Sequence, residues 1–347
     1  MKNILLLFTL IHLQDTYGKV YKWKNFLPNT ESLPKGEIKS KIVLHLVDKQ
    51  WVPDGTEAIQ SDDVIPRYPG KATDALKILL NQETIVKYHT SPLAKAKDLL
   101  KEENGYKKEQ ESIFIIHTVG GSANDNFVKN SIIAMALRNF LKKYNIFAFN
   151  MAELQDYMEQ TVMKGLYGKR ANYDDLSEII GNFFNSAIAD KLLELDKIHL
   201  VGFCFSGQLT GYISRYISSK NDGKKIKSIT ALDPNSAFFF GIQNKVLSEE
   251  DAELVFVYHT NSLVGGTLFR KATADFNINN GWFQPGCYYS GKRLCSHRRV
   301  VTLFCAKGTY YLNTMAQKPY GFGPSSANCF SFSKRKKSEA MIKNISN

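Results

Sequence analysis

The sequence predicts an α/β fold with a mostly parallel central sheet covered by helices on both faces. Three observations carry this. Short apolar runs recur along the chain, helical patterns separate them, and one run passes into a helix through a tight five-residue turn. The strand-like runs are Ile42–Val47, Ile113–His117, Ile146–Phe149, Ile198–Val201, Ile226–Leu232 and Leu254–His259. Between them, Phe127–Tyr144 and Leu176–Leu195 have helical spacing, and Asp174 or Asp175 ahead of Glu178 forms an N-terminal capping pattern.

The turn is Gly202-Phe203-Cys204-Phe205-Ser206. A strand pattern, Lys197–Val201, precedes it. Leu209, Tyr212, Ile213, Tyr216 and Ile217 follow at the spacing of one helix face. Strand, turn and helix in that order form the setting of a nucleophile elbow, normally G-x-S-x-G. Here cysteine holds the serine position and serine holds the second glycine.

Composition narrows the class. The chain has 347 residues, 44% of them hydrophobic and 12% aromatic, which is enough apolar material for a large core and argues against disorder. The formal net charge of +12 favours anionic partners. Its basic residues are scattered apart from Lys334-Arg335-Lys336-Lys337, and no nucleic-acid motif accompanies them. Neither HExxH nor a paired Cys-x-x-Cys occurs, so no metal or other cofactor is expected. Gly120-Gly121 and Val264-Gly265-Gly266 have the look of turns, not phosphate loops.

Lys2 followed by the apolar run Ile4–Leu13, with Thr16 and Gly18 as small residues before a cut, predicts a signal peptide over 1–18. That run is too short to span a membrane, and the expectation is a secreted, extracellular protein with no transmembrane segment. Residues 19–331 are expected to form a single domain, with the polar stretch 50–105 as a peripheral insertion and 332–347 as a basic, disordered tail in which Asn344 is a glycosylation acceptor.

Five cysteines fit an oxidising compartment. Cys287 and Cys295 enclose seven residues, and Cys305 and Cys329 lie close behind. Pairing these four leaves Cys204 alone in the elbow, although sequence does not prove the connectivity. The alternative for Cys204 is a small buried thiol with a packing role.

A nucleophile needs a base to take its proton and an acid to orient that base. In this setting the three come in the chain order nucleophile, acid, histidine. Cys204, Asp233 in Leu232-Asp233-Pro234, and His297 in Cys295-Ser296-His297-Arg298-Arg299 supply that order. The plainer readings are a turn-forming Asp-Pro and a surface histidine among cations.

With these residues in hand, the chain resembles the secreted pancreatic-type lipases, which include sn-1 phospholipases and insect yolk-protein relatives. The resemblance covers roughly 110–330. It rests on Leu232-Asp233-Pro234, His259-Thr260, Ala274-Asp275-Phe276, Gln284-Pro285-Gly286-Cys287, Cys295-Ser296-His297-Arg298 and the Gly202 and Gly211 spacing. It implies an α/β-hydrolase fold and a catalytic set of Cys204, Asp233 and His297. It also implies that the amides of Phe205 and Val119 form the oxyanion hole.

Several positions depart from the family pattern. His117-Thr118-Val119 replaces His-Gly-aromatic, Phe203 and Gln208 replace histidines near the nucleophile, and Asn150-Met151 stands where Asp-Trp is common. The loop between Cys287 and Cys295 resembles a very short lid, with Lys292, Arg293, Arg298 and Arg299 around it.

Sulfur in a cavity shaped for oxygen is misplaced, and such errors cost roughly 10²-fold in rate. The expectation is therefore a catalytically impaired, lipase-like protein that serves as a lipid-binding, interaction or storage protein. An apolar or lipid ligand and an anionic lipid surface are its partners. The alternative is a carboxylic ester hydrolase acting on glycerides or phospholipids through Cys204, His297 and Asp233.

Overall fold

The computed structural model describes residues 33–51, 85–137, 140–158, 171–236, 245–262, 265–284, 287, 294–304 and 330–334. Nine strands form one sheet: β1 (Val43–Val47), β2 (Tyr88–Pro92), β3 (Glu111–Ile116), β4 (Tyr144–Asn150), β5 (Ile198–Phe203), β6 (Ser228–Leu232), β7 (Leu254–His259), β8 (Ala274–Ile278) and β9 (Phe330–Lys334). Their spatial order is β2-β1-β4-β3-β5-β6-β7-β8-β9. The six strands from β4 to β8 run parallel, while β1, β2 and β9 pair antiparallel at the two edges. The described helices are α1 (Lys35–Ser40), α2 (Asn126–Leu137), α3 (Phe140–Lys143), α4 (Ala171–Ala189), α5 (Phe205–Ser219) and α6 (Cys295–Leu303).

Parallel strands buried on both faces need continuous apolar runs, and β3 (Glu-Ser-Ile-Phe-Ile-Ile) and β5 (Ile-His-Leu-Val-Gly-Phe) supply them. Alternate residues feed two cores. One holds Phe114, Phe147, Phe149, Phe183, Phe184, Leu209 and Ile213, against α4 and α5. The other holds Ile113, Ile115, Val128, Ile132, Phe203 and Phe304, against α2 and α6. In the first, the Phe114 ring stacks on Phe147 at 4.6 Å and meets Phe184 edge-on at 4.7 Å. This is the expected α/β-hydrolase architecture.

All six expected strands are present within a few residues. Four expectations change. The pattern over Phe127–Tyr144 contains two helices, α2 and α3, and Tyr144 already belongs to β4. Helix α4 already includes Ala171, so Asp174 and Asp175 lie within it and the pattern around them does not cap it. The stretch 50–105, described from residue 85, holds edge strand β2. It also holds a 3-10 helix, Leu93–Leu100, that buries Leu93, Ala96, Leu99 and Leu100 in the first core. Strand β9 runs through Lys334, into the segment expected to be a tail.

At the amino ends of the parallel strands, His199 Nε2 donates to Glu111 and Ser228 Oγ donates to His199 Nδ1 at 2.5 Å. Lys227 Nζ also donates to Glu111. This network staples β3, β5 and β6 at the end opposite Cys204. Among the described residues no helix is long and apolar enough to cross a membrane.

Candidate active site

Strand β5 ends at Phe203 and α5 begins at Phe205, leaving Cys204 alone at the turn with φ +57° and ψ −116°. A non-glycine residue in this region is strained, and such strain clusters at functional sites. Its neighbours hold it there. Cys204 N donates to Leu232 O at 3.0 Å, and Asn235 N and Gly207 N each donate to Cys204 O at 3.1 Å. Gly202 permits the turn because a Cβ there would collide with the Ser206 carbonyl. Cys204 is a buried thiol, 7% exposed and outside any disulfide.

Asp233 lies just past β6 and is fully buried. Its Oδ1 accepts from Thr260 N at 3.1 Å and from Asn261 N at 3.3 Å. Its Oδ2 accepts from Thr260 Oγ1 at 3.1 Å and from His297 Nδ1 at 2.7 Å. A carboxylate with four donors stays fixed, and it selects the imidazole tautomer with hydrogen on Nδ1.

His297 rides on the first turn of α6, two residues beyond Cys295, and is 3% exposed. With Nδ1 occupied, Nε2 is the nitrogen left to face Cys204. Burial pushes the imidazole pKa down, but this is outweighed by the charge of Cys204, by the hydrogen bonds that the ring donates to Asp233 and Cys204, and by the Asp233 charge. The net result is a rise to about 10. The three expected catalytic residues therefore meet at one place, at the carboxyl ends of β5 and β6.

Residues not singled out as site residues complete the setting. Gly265 and Gly266 lie against the His297 ring and the Asp233 carboxylate, where a Cβ would overlap both. Arg270 braces that loop by donating to Thr267 O at 2.8 Å and to Ser262 Oγ at 2.9 Å. Beneath them His259 Nε2 donates to Asp275 Oδ1 at 2.7 Å, and burial lowers the pKa of His259.

The positions that depart from the expected family pattern have structural work. Ser206 Oγ donates to the His117 carbonyl, tying α5 to the loop after β3. His117 Nδ1 donates to Thr118 O at 2.7 Å and its Nε2 accepts from Met151 N at 2.7 Å, while burial lowers its pKa to about 4. Gln208 Oε1 accepts from Leu247 N at 2.9 Å. Val119 and Phe205, the two expected oxyanion-hole residues, are both buried in the first core, and the Phe205 ring stacks on Tyr173 at 4.5 Å.

Cys287 and Cys295 form a disulfide that anchors the start of α6. Cys305 and Cys329 lie outside the described residues, as do Lys292 and Arg293. Among the described residues no group of three or more His, Cys, Asp or Glu side chains is arranged to hold a metal ion.

Comparison with known proteins identifies the family. The Lipase family profile matches residues 56–307, beginning well before residue 110, so most of 50–105 falls inside the match. Among similar proteins, phospholipase A1 1 of Dolichovespula maculata is 32% identical over 217 residues, covering 60% of this chain and 66% of that protein. Phospholipase A1 of Vespa velutina is 29% identical over 196 residues, covering 55% of this chain and 63% of that one. The chain thus spans slightly less than two thirds of the length of these relatives. A phospholipase/carboxylesterase structure from Dyadobacter fermentans has a TM-score of 0.33 at 15% identity, covering 46% of this chain and 70% of that one. With more than half of its length matched and an α/β-hydrolase sheet, this chain belongs to the lipase family.

Proposed function

We propose that this protein hydrolyses carboxylic esters of lipids, glyceride or phospholipid, through Cys204, His297 and Asp233, at a rate well below that of a serine nucleophile. One observation carries the reading. A strained elbow presents a thiol to an imidazole whose other nitrogen is held by a fully buried carboxylate at 2.7 Å. Two phospholipase A1 relatives support the substrate class.

The Cys204 sulfur, its proton already held on His297 Nε2, attacks the ester carbonyl as a thiolate, and the carbonyl electron pair moves onto oxygen. That pair then returns, the bond to the alcohol breaks, and the imidazolium protonates the leaving oxygen. Water, deprotonated by His297, cleaves the resulting thioester and releases the fatty acid. The amides of Phe205 and Val119 are the proposed oxyanion donors. Sulfur's longer bonds shift the reacting atoms from positions suited to oxygen, which costs roughly 10²-fold.

Arg298 and Arg299 on α6 are exposed, and Trp282 and Phe283 just before Gln284 are 44% and 52% exposed. Gln284 N donates to Ser296 Oγ at 2.9 Å, which brings these residues to the same rim as His297. Cations beside exposed aromatics suit an anionic lipid surface. The disulfide suits a secreted protein.

A second reading, binding of an apolar ligand without turnover, draws on the near closure of the site. Cys204 and His297 are both buried, and Phe203 packs on the imidazole. Purified protein assayed on a short-chain chromogenic ester and on phospholipid vesicles separates the two. Turnover abolished by Cys204→Ala and raised by Cys204→Ser is expected. No turnover in either wild type or Cys204→Ser, with stoichiometric fatty-acid uptake, would establish the second reading instead.

A further inference from the structure

Strand order reverses its direction at β3: β4 lies on one side of it and β5 on the other. The crevice at the carboxyl ends of such a pair is where open α/β sheets bind ligands. Cys204 follows β5, and His117-Thr118-Val119 follows β3. Ile116 is in register with Gly202, and just beyond the strand ends the Ser206 hydroxyl donates to the His117 carbonyl, so the loop that carries Thr118 adjoins the elbow that carries Cys204. Neighbouring strands are about 4.8 Å apart.

The main chain at Thr118 is held firmly. Its carbonyl accepts from His117 Nδ1 at 2.7 Å and from Gly121 N at 3.1 Å, and the His117 carbonyl accepts from Ser206 Oγ. Its side chain is different. Thr118 is 8% exposed, and its Oγ1 has no hydrogen-bond partner among the described residues. Burying an unpaired hydroxyl costs on the order of 1–3 kcal/mol, so a native exception calls for a reason. Three other hydroxyls around the site are engaged: Ser206 with His117, Thr260 with Asp233, Ser296 with Gln284.

We propose that Thr118 Oγ1 is an oxyanion-hole donor, hydrogen-bonding the carbonyl oxygen of the substrate as Cys204 attacks. This rests on the ester-hydrolase reading above. The hydroxyl shares its hydrogen with the developing oxyanion and keeps its proton throughout. The resembled family has glycine here, whose only contribution is its backbone. A thiol nucleophile displaces the carbonyl oxygen from the position that backbone amides serve, and a side-chain hydroxyl reaches further than an amide does. Threonine in the His117-Thr118-Val119 segment therefore offsets part of what the exchange of oxygen for sulfur takes away.

The test compares Thr118→Val, which keeps the shape and removes the hydroxyl, with Thr118→Ser, which keeps the hydroxyl. On a short-chain chromogenic ester, Thr118→Val is expected to lower kcat about 10²-fold with KM nearly unchanged, and Thr118→Ser to stay within about threefold of wild type. The melting temperature of Thr118→Val should hold or rise, because a methyl group replaces an unsatisfied hydroxyl. Unchanged kcat in Thr118→Val overturns the proposal, and so does a melting temperature that falls alongside activity.

If wild type turns over no ester, the ester-hydrolase reading fails by itself and a second measurement decides this one. Octanal adds reversibly to the Cys204 thiol: the sulfur bonds to the carbonyl carbon and the oxygen becomes the hemithioacetal oxygen, in the same position. Protection of Cys204 from iodoacetamide reports that addition. Protection about tenfold weaker in Thr118→Val supports the donor role. Equal protection in both proteins, or none in wild type, overturns it.

Discussion

The ring of Phe203 lies against that of His297, with centroids 4.8 Å apart and planes inclined by 31°. The same phenylalanine meets Phe127 at 5.6 Å, so the imidazole is backed by the core between α2 and the sheet. Phe203→Ala should cost about 3 kcal/mol of stability, measured by urea unfolding. It should also speed alkylation of Cys204 by iodoacetamide, since the shield over a 7%-exposed thiol is removed. Unaltered alkylation would mean that Phe203 is not what closes the site.

Asp233 fixes the imidazole tautomer, and Asp233→Asn reverses the polarity of that contact. Hydrolysis of a soluble ester is expected to fall by roughly 10²–10⁴-fold with little change in KM. Retention of most of the wild-type kcat would remove the Asp233–His297 pair from the reaction.

His297 is held at a pKa of about 10, above its ordinary 6.5. A group raised on folding contributes stability that is fully present below 6.5 and is lost as pH climbs through about 10. The Cys204 charge is the largest influence raising it. Melting temperatures recorded from pH 6 to pH 10 should therefore decline in wild type and decline less in Cys204→Ala. Parallel curves would contradict the coupling.

Glu111 shows the opposite sign. Burial pushes its carboxyl up, but the hydrogen bonds and charges of His199 and Lys227 outweigh this and hold it at about 2, against an ordinary 4.5. Its contribution is present above 4.5 and lost as pH falls towards 2. Glu111→Gln should melt about 2–4 °C below wild type at pH 7, with the gap narrowing below pH 4.5 and closing towards pH 2. A gap independent of pH would assign the loss to packing.

Strands with unbroken apolar runs were legible from sequence, because burial on both faces leaves little room for polar residues. Tyr88–Pro92 was not, since an edge strand made of Tyr-His-Thr-Ser-Pro carries no such pattern. Strand β8 was noticed only as a motif, with Asp275 interrupting its apolar character. The order Cys204, Asp233, His297 was readable because chain order is local information. Thr260, Ser206 and the Gly265-Gly266 cradle were not assigned roles, because each acts across a distance in sequence that no periodicity records. Asp174, which lies inside α4, shows the limit of capping signals: an Asp within a helix has the same local spelling as one at its end.

The elbow also passes from one layer of the molecule to the other. Phe203 and Cys204 belong to the core on the α2 side of the sheet, and Phe205, the next residue, belongs to the core on the α4 side. Loosening on either side pulls on the same strained link. The thiol is in effect a strain gauge for the whole sandwich, and its chemistry should falter on warming before the last strand pairs separate.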